Sequence, residues 1–582
     1  MSDYIFSSKR KTVGALSNLI ESIYSETPPL IEEMHGEWGS LAISHNQYLG
    51  FRPYETDQHI IAVIGGPVLC FRDNDFLVGQ DSNIATKEIY QRWVVEKKIV
   101  WDEDLSGPFS VILVDKFLKN VEVVTDLMSF IPVYRYEHGS QYNLGTHVDC
   151  VAKISNETFE NDDVSLADFI LNSAITFPYT PYSNIFQLEP ASEFTFGNSK
   201  QQNYYWLPKE VNPYGSISEA AKDLRDGISS YVERITFSMD TVAQFVSGGE
   251  DSRALCGLIP NRLKKVGYTF LDQMNREGEI AQKVANTYNI EMNIGYRKDT
   301  HYLDILEEAT TLVGSGEQYF HAHSLNFDRT YNLSKYTAVF GGYLADSILK
   351  APYARKIKGM NHFPFVPEIF IKNETRTHKI ESNYISPSIL DKVNQRRLCR
   401  YKKIDELRSK SAHEWFVLYP STMRVAIGNF HSTRRLFRSY EPFMSNEVIK
   451  VGASVPTEWK LNRRLFNRAM KPFLKPSKWL LHGDGRLPYF PWWANSFIQV
   501  PFWFYHQIGK RIGLIKGNQG SWCSWKDVVN SSLWEELVTR YADSITSPDF
   551  LQKDLGYLLR SSNLSDFEKV NLMQVLINRS VK

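Results

Sequence analysis

The sequence predicts an α/β protein, with a sheet-rich first domain and a second domain built on a parallel sheet with helices on its faces. Apolar and polar residues tend to alternate between Glu37 and about Thr146, as in strands with one buried face. Strand-like and helix-like segments alternate from Thr241 onward, in the order typical of a parallel sheet. The chain has 582 residues and is 43% hydrophobic, so it can bury large cores.

The balance of charges argues against nucleic acid as a partner. The sequence has 66 basic and 66 acidic side chains, so it lacks the net positive field that attracts a phosphate backbone. Its five cysteines have no CxxC spacing, which argues against a zinc ribbon and a secreted disulfide scaffold. The longest apolar run, Ile60 to Phe71, is too short to span a bilayer. We therefore expect a cytoplasmic protein without a transmembrane segment.

The first domain is expected to combine strands with one helix and to end near Glu210. Ile84, Ile89 and Trp93 recur at helical spacing. The segment YYWLPKEVNPYG, which begins at Tyr204, has prolines and aromatic residues without either periodicity, as in a linker. The predicted domains are therefore residues 1–210 and 211–582.

The second domain alternates strands and helices. The apolar strand Thr241–Val246 precedes a helix, and the strand-like VGYTFL precedes the helix EGEIAQKVANTY. A third strand-like run, YTAVFGG, ends at Gly342. The rest is mainly helical in pattern, and its last helix begins with a capping box of Ser565 and Glu568.

The most informative stretch is FVSGGEDSR, from Phe245 to Arg253, in which a buried-type strand leads into a glycine turn and a helix. Two adjacent glycines let the backbone pass close to an anion, and the first N–H groups of the helix point at it along the helix dipole. This arrangement is typical of a phosphate cradle. The candidate binding residues are Ser247, Gly248, Gly249, Asp251 and Ser252.

An acid inside a phosphate loop implies a divalent cation, because Asp251 would otherwise repel the phosphate. The loop lacks the lysine of a GxxxxGK[ST] sequence, so it is not the cradle of an NTPase that transfers the γ-phosphate. The alternative interpretation is an ordinary glycine turn with a satisfied N-cap.

The string SGGEDS resembles the pyrophosphatase-type loop of the asparagine synthetase family, whose members cleave ATP between the α- and β-phosphates. The resemblance continues at GYLADS, where Asp346 stands at the family's metal-binding aspartate. It continues again at SYEPFMSNEVIKVGASVPTEWKL, which is similar to the family's VRxPFLD segment and the helix after it. In the first domain, the positions that match the family's glutaminase domain are Phe109, Asp126, Pro132 and Tyr134.

This resemblance implies a fold, cofactors and a reaction. The first domain would be an Ntn-hydrolase-like layered sheet domain, and the second a doubly wound parallel sheet of the adenine nucleotide α-hydrolase-like, PP-loop type with added helices. The implied cofactors are ATP and Mg²⁺, with the metal held by Asp251 and Asp346. The implied reaction is ATP-dependent amide formation through an acyl-adenylate, with release of AMP and pyrophosphate.

The N-terminal nucleophile departs from the family pattern. An active glutaminase of the family has cysteine as its second residue, whereas this chain begins Met1-Ser2-Asp3. Serine could act as an N-terminal nucleophile, but the CGI sequence that should accompany it is missing and the RGPD and NGE motifs are not recognisable. We therefore expect a degenerate glutaminase domain, with an amine or free ammonia as the nitrogen source.

Tyr343 stands at the first glutamate of the family motif GEGSDE. Family members that close β-lactam rings also have tyrosine there, in a dyad that deprotonates an internal amine, so the chain resembles a β-lactam synthetase-like branch. A phenol of pKa about 10 suits a positioned amine when a carboxylate holds it. Glu368 and Glu374 are candidate carboxylates by sequence distance. The alternative is a tyrosine that packs under the nucleotide.

The family's catalytic lysine, which follows a tryptophan in the pattern WRxK, has no counterpart in KWLLHGDGRLPYF. His482 stands at that register, and Lys475 and Lys478 precede it. Arg486 could supply the permanent charge that stabilises the transition states. A surface salt bridge is the alternative role for Arg486.

Three further patterns have a structural interpretation beside a functional one. The aromatic run YFPWWANSFIQVPFWFYHQIG is expected to be core under a long connection, with contact to a hydrophobic substrate or lipid carrier as the alternative. His321 and His323 form an HxH pair without a third ligand. The basic string RRLFNRAMK is expected on a solvated helix face, or against phosphate.

The sequence thus predicts an AMP-forming ligase that joins a small-molecule or peptide carboxylate to an amine, with a homodimer as one option. The alternative among enzymes is ammonia- or glutamine-dependent synthesis of the asparagine synthetase type, for example amidation of a sugar acid for surface polysaccharide. The alternative outside enzymes is a nucleotide-binding pseudoenzyme, which the missing lysine favours.

Overall fold

The computed structural model describes residues 2–25, 28–79, 82–155, 160–197, 200–357, 365–371, 379–513, 519–520, 522–542 and 545–580. These residues form a mixed α/β structure with two six-stranded sheets, a five-stranded sheet and a two-stranded ribbon. Strand pairs are antiparallel in the six-stranded sheets and parallel in the five-stranded sheet. The predicted succession of a sheet-rich part and a parallel-sheet part is confirmed.

The antiparallel part of the chain runs from Tyr4 to Tyr204. Its strands are β1 (Tyr4–Ser7), β2 (Ile31–Gly36), β3 (Gly39–Ser44), β4 (Tyr54–Glu55), β5 (His59–Gly65), β6 (Val68–Leu69), β7 (Leu105–Ser106), β8 (Phe109–Asp115), β9 (Val121–Thr125), β10 (Tyr134–His138), β11 (Gln141–Gly145), β12 (Ile185–Gln187), β13 (Ser192–Phe196) and β14 (Gln201–Tyr204). Its α-helices are α1 (Ala15–Glu21), α2 (Ile84–Tyr90), α3 (Trp101–Asp104), α4 (Val148–Ile154) and α5 (Asp163–Asn172). The sheets have the orders β12-β10-β11-β1-β3-β2 and β14-β13-β9-β8-β5-β4, and β6 pairs with β7.

Alternate residues of β1 face different layers. Tyr4 and Phe6 belong to the buried cluster that contains Ile60 of the second sheet. Ile5, between them, packs instead with Leu16 of α1. Because β1 is buried on both faces, this part of the chain is layered as helix, sheet and sheet.

The parallel part begins with a helix and continues to the end of the described chain. Its strands are β15 (Thr241–Phe245), β16 (Lys264–Leu271), β17 (Glu291–Tyr296), β18 (Val339–Phe340) and β19 (Ser439–Tyr440). Its α-helices are α6 (Ile217–Thr236), α7 (Glu250–Leu258), α8 (Arg276–Thr287), α9 (His301–Asp304), α10 (Leu306–Val313), α11 (Leu325–Tyr331), α12 (Ala345–Leu349), α13 (Pro387–Leu407), α14 (Ala412–Leu418), α15 (Gly428–Leu436), α16 (Asn446–Ser454), α17 (Thr457–Lys460), α18 (Arg464–Leu474), α19 (Trp492–Arg511), α20 (Trp525–Val528), α21 (Ser532–Ala542), α22 (Leu555–Arg560) and α23 (Asp566–Ser580). Among the described residues, no helix is both long enough and apolar enough to cross a bilayer.

The order of the parallel strands creates a crevice beside the central strand. The chain passes from β15 outward to β16 and β17, and then returns to the other side of β15 for β18 and β19. In such sheets, ligands bind outside the carboxyl ends of the strands at the point where the strand order reverses. That point lies between β15 and β18, and the glycine loop follows β15 directly.

The two parts of the chain are joined by buried ion pairs. The carboxylate of Asp3 accepts hydrogen bonds from Arg435 Nε at 2.8 Å and Arg434 Nη2 at 3.1 Å, and from Thr146 Oγ1 at 2.8 Å. Burial raises the pKa of Asp3, but the two guanidinium groups lower it further, to well below its usual range. The largest buried cluster also contains residues from both parts, so the division near residue 210 stays a prediction.

Candidate functional site

The Ser-Gly-Gly loop connects β15 to the N-terminus of α7. The N–H of Ser247 donates to Ser252 Oγ at 2.8 Å, and the N–H of Gly249 donates to Ser247 Oγ at 3.1 Å. The N–H of Gly248 donates to Glu277 Oε1 at 2.6 Å. Among the described residues, no side chain caps α7, so the first-turn N–H groups of this helix are available to an anion.

The loop forms one wall of a cleft of about 450 Å³ at the carboxyl ends of the parallel strands. The cleft brings together most of the residues that the sequence singled out, although they are separated in the chain. Its lining includes Ser247, Gly249, Asp251, Ser252, Tyr343 and Asp346, together with Glu441 after β19. A concave site with a few convergent polar groups is the usual form of a ligand pocket.

Three carboxylates and one ammonium group lie close together beside the glycine loop. Ligand oxygens of Glu250, Asp251 and Asp346 lie within 4.8 Å of one another. Lys350 Nζ lies 2.8 Å from Glu250, 2.5 Å from Asp251 and 2.6 Å from Asp346. Lys350 is buried, and its ammonium also lies 4.3 Å from the centre of the Phe466 ring. The sequence motifs predict Asp251 and Asp346 together, whereas they give no signal for Glu250 or Lys350.

Two arginines neutralise Glu250 from the other side. Arg463 Nε lies 2.6 Å and Arg486 Nη1 3.3 Å from its carboxylate. Arg486 also pairs with Asp484 at 2.7 Å, and His482 pairs with the same carboxylate at 2.8 Å. The guanidinium of Arg486 is therefore paired with two carboxylates, those of Glu250 and Asp484. Its assignment as a catalytic residue stays a prediction.

The electrostatic environment separates the pKa values of the three acids. Burial raises the pKa of Glu250, but Lys350, Arg486 and Arg463 lower it further, to well below its usual range. Burial and the neighbouring acids Asp346 and Glu250 raise the pKa of Asp251 to about 8, against the lowering effect of Lys350. Burial also raises the pKa of Asp346, but the charge and hydrogen bond of Lys350, together with Arg463, bring it below its ordinary value. Glu250 has two arginines as well as Lys350, whereas Asp251 and Asp346 share Lys350, and Asp251 is the acid of the three whose pKa is raised.

The acid cluster fits a divalent cation in its donor chemistry. Carboxylate oxygens are the ligands that Mg²⁺ prefers, and this is the cluster of metal-ligating side chains found among the described residues. The ammonium of Lys350 contacts all three acids, so a cation bound by all of them would share the cluster with Lys350 or displace it.

Tyr343 and Glu441 lie side by side in the lining of the cleft. The N–H of Tyr343 donates to Glu441 Oε2 at 2.8 Å. The phenol oxygen is buried and has no hydrogen-bond partner among the described residues, and the guanidinium of Arg424 lies 4.3 Å from the ring centre. Burial raises the pKa of the Tyr343 phenol above its ordinary value, further from neutral pH. Burial also raises the pKa of Glu441, but only to about 8. Glu441 is thus the better candidate base near neutral pH.

Of the two carboxylates expected beside Tyr343 from sequence distance, the described one has other partners. Glu368 pairs with Lys356 at 2.5 Å and accepts the N–H of Asn462 at 3.0 Å. Glu374 lies outside the described residues. The acid beside Tyr343 is Glu441, which was overlooked because it lies within the SYEPF segment and nearly 100 positions further along the chain.

The HxH pair does not form a metal site with a third described ligand. The rings of His321 and His323 are 6.0 Å apart, and each packs edge-on against Trp522. Burial lowers the pKa of His323 to about 4, so this imidazole is neutral. His323 and Trp522 line the cleft, which makes them an aromatic wall for a bound ligand.

The N-terminal serine is enclosed by the fold. Ser2 is buried, its Oγ accepts the N–H of Gly65 at 3.3 Å, and its carbonyl accepts Arg434 Nη1 at 2.8 Å. Ser2 is thus held by the same arginine that binds Asp3.

Comparison with known proteins finds little sequence similarity. No protein-family model and no curated protein sequence matches the chain. One partly similar solved structure is titled as the allosteric regulatory enzyme of purine biosynthesis, with 9% identity, a TM-score of 0.23 and coverage of 50% of this chain and 80% of that chain. Another is glutamine phosphoribosylpyrophosphate amidotransferase from B. subtilis complexed with ADP and GMP, with 9% identity, a TM-score of 0.24 and coverage of 52% and 70%. Similarity at this level does not establish a shared fold or activity.

Proposed function

We propose that the chain forms amide bonds at the expense of ATP, through an acyl-adenylate, with release of AMP and pyrophosphate. The observation that carries this proposal is the position of Asp251. It lies within a lysine-free glycine loop, beside Asp346 and at the crevice of a parallel sheet. An acid at that place suits a phosphate ligand accompanied by a divalent cation.

The side chains of the cleft suggest roles in this reaction. The loop and the first turn of α7 would bind the pyrophosphate portion of ATP. Mg²⁺ held by Asp251 and Asp346 would neutralise the negative charge on those phosphates. Lys350, which contacts Asp251 at 2.5 Å, would supply the positive charge of the family's catalytic lysine. Glu441 would accept the proton of the attacking amine.

A nucleotide-binding protein without turnover is the second candidate function. The observation in its favour is that all three acids already pair with Lys350, and that Glu250 also pairs with Arg463 and Arg486. Glu277 also occupies the N–H of Gly248, which a phosphate oxygen would need to displace. The two functions differ in whether ATP is cleaved.

The released nucleotide distinguishes the proposed ligase from other ATP-using enzymes. With Mg²⁺, ATP and mixtures of carboxylates and amines, we expect AMP and pyrophosphate as products, measured by chromatography of the nucleotides. Steady formation of ADP would overturn the proposed function. Tight binding of ATP with no cleavage in any mixture would favour the second candidate.

The buried Ser2 is expected to have no catalytic part. Ser2→Ala removes one hydrogen-bond acceptor from the N–H of Gly65, which typically costs about 1 kcal/mol of stability. Glutamate release from glutamine should stay at background in the wild type, and amide formation should be the same in both proteins. A glutaminase activity that Ser2→Ala removes would show that serine has replaced the family's thiol.

A further inference from the structure

The basic string and the aromatic run lie side by side in the structure. They line a groove of about 410 Å³ between α18 and the start of α19. One wall carries Arg464, Arg468 and Lys471, and the other Tyr489, Trp492 and Trp493. The groove is separate from the glycine-loop cleft, with which it shares no lining residue.

The helix α19 presents an apolar face to solvent. Trp493 is 59% exposed, Phe497 79%, Phe504 52%, Tyr505 62% and Ile508 55%. At about 100° per residue, these positions lie within roughly a third of the helix circumference. The expectation that the aromatic run is core is therefore wrong for this face, because these side chains are exposed to solvent.

The polar side of α19 faces the protein. Asn495 and Gln499 are each 3% exposed. The amide of Asn495 accepts the N–H of Leu487 at 2.7 Å and donates to its carbonyl at 3.1 Å. His506, on the same side of the helix, contacts Arg276. A helix that buries its amides and exposes its aromatic rings is suited to an apolar surface outside the chain.

The segment that carries this face and the groove is basic. Asp484 is the only acidic residue between Arg463 and Arg511, and its carboxylate is paired with Arg486. Arg464, Arg468 and Lys471 are exposed at one end of α19, and Arg511 is exposed at the other. Phosphate headgroups would be attracted to both ends of the helix.

We propose that α19 is a membrane-surface helix that binds the chain to a bilayer of anionic phospholipids. Its aromatic face enters the interfacial layer, and the groove beside α18 receives a phosphate headgroup. Exposed Trp, Tyr and Phe with basic residues at the ends are typical of helices that lie in the plane of the interface. Since no described helix can span a bilayer, the attachment is peripheral.

Co-sedimentation of the full chain with lipid vesicles tests this proposal. We expect stronger binding to phosphatidylcholine vesicles with roughly one third phosphatidylglycerol than to phosphatidylcholine alone, and weaker binding as salt is added. Phe497→Glu should reduce binding to the anionic vesicles by about tenfold or more. Phe117→Glu changes a residue that is 71% exposed in the antiparallel part and should bind as the wild type does.

The charged residues are tested in the same assay. Arg464→Gln combined with Lys471→Gln should weaken binding by about fivefold for each charge removed. Lys200→Gln changes a lysine of the antiparallel part whose side chain is 61% exposed, and should have no effect.

Circular dichroism and the thermal midpoint show whether each variant folds, and Phe497→Ser replaces Phe497→Glu if the latter fails to fold. Equal binding of the Phe497 and Phe117 variants, or no binding to anionic vesicles, would overturn the proposal. Self-association in sedimentation velocity that Phe497→Glu abolishes, without vesicle binding, would also overturn it and assign the face to a second copy of the chain.

Discussion

Replacement of Asp251 by asparagine should reduce ATP cleavage by roughly 1,000-fold while the fold stays intact. The side chain follows the two glycines of the loop, lines the cleft and pairs with Lys350. Asparagine keeps the shape but cannot provide a charged ligand for a divalent cation. AMP release with saturating Mg²⁺ measures the effect, and Asp346→Asn should show a loss of the same kind.

The stability of the Asp251→Asn protein provides the control for folding. In the folded protein the pKa of Asp251 is raised to about 8 by burial and the adjacent acids, against about 3.9 in an unfolded chain. The folded state therefore retains a proton that the unfolded state loses, and this carboxyl lowers the free energy of unfolding as pH rises between those values. The variant should unfold at the same or a higher temperature than the wild type near pH 8.

A matched change elsewhere separates the site from a general effect of losing a carboxylate. Burial raises the pKa of Asp328 to about 6, and its carboxylate accepts the N–H of Leu333 at 3.1 Å outside the cleft. Asp328→Asn should leave ATP cleavage unchanged. Normal cleavage by the Asp251→Asn protein would remove the metal assignment.

The parts of the fold that could be predicted are those determined by neighbouring residues. The apolar run before Ser247 predicts β15, and the two glycines after it predict the turn into α7. The reciprocal bonds of the predicted capping box are present, since the Ser565 N–H donates to Glu568 at 2.7 Å and the Glu568 N–H to Ser565 Oγ at 3.3 Å. Each of these features depends on contacts within a few positions of the chain.

The partners of the loop acids could not be predicted, because they come from distant segments that the fold brings together. Lys350 follows Asp346 by four positions. On its own, this spacing indicates only an ion pair on the surface of one helix. Arg463 contacts Glu250 from the start of α18, a segment whose sequence suggested a solvated helix face. The exposure of Phe497 could not be predicted either. A composition rich in aromatic residues predicts burial, and it does not say which side of a helix faces the protein.

The last expected result concerns the acceptor of the amine proton. Glu441→Gln should lower amide formation by about 100- to 10,000-fold, the usual contribution of a general base. Adenylation, followed as ATP–pyrophosphate exchange, should persist because the hydrogen bonds of the Glu441 carboxylate are to Tyr343 and Ser439 and not to the glycine loop. Since burial raises the pKa of Glu441 to about 8 and the base form must be deprotonated, the wild-type rate should rise as pH increases through that value. This rise should be absent in the variant.

Two further variants test whether the carboxylate or the adjacent phenol is responsible. Tyr343→Phe keeps the ring against Arg424 and removes only a hydroxyl whose pKa burial raises, so its amide formation should fall less than that of Glu441→Gln. Glu189→Gln removes another carboxyl whose pKa burial raises, in the antiparallel part of the chain, and should have no effect. If Tyr343→Phe shows the larger loss and the pH dependence persists in Glu441→Gln, the phenol is the base and Glu441 only holds the backbone of Tyr343. If exchange and amide formation fall together in both variants, this wall of the cleft binds the nucleotide and takes no part in proton transfer.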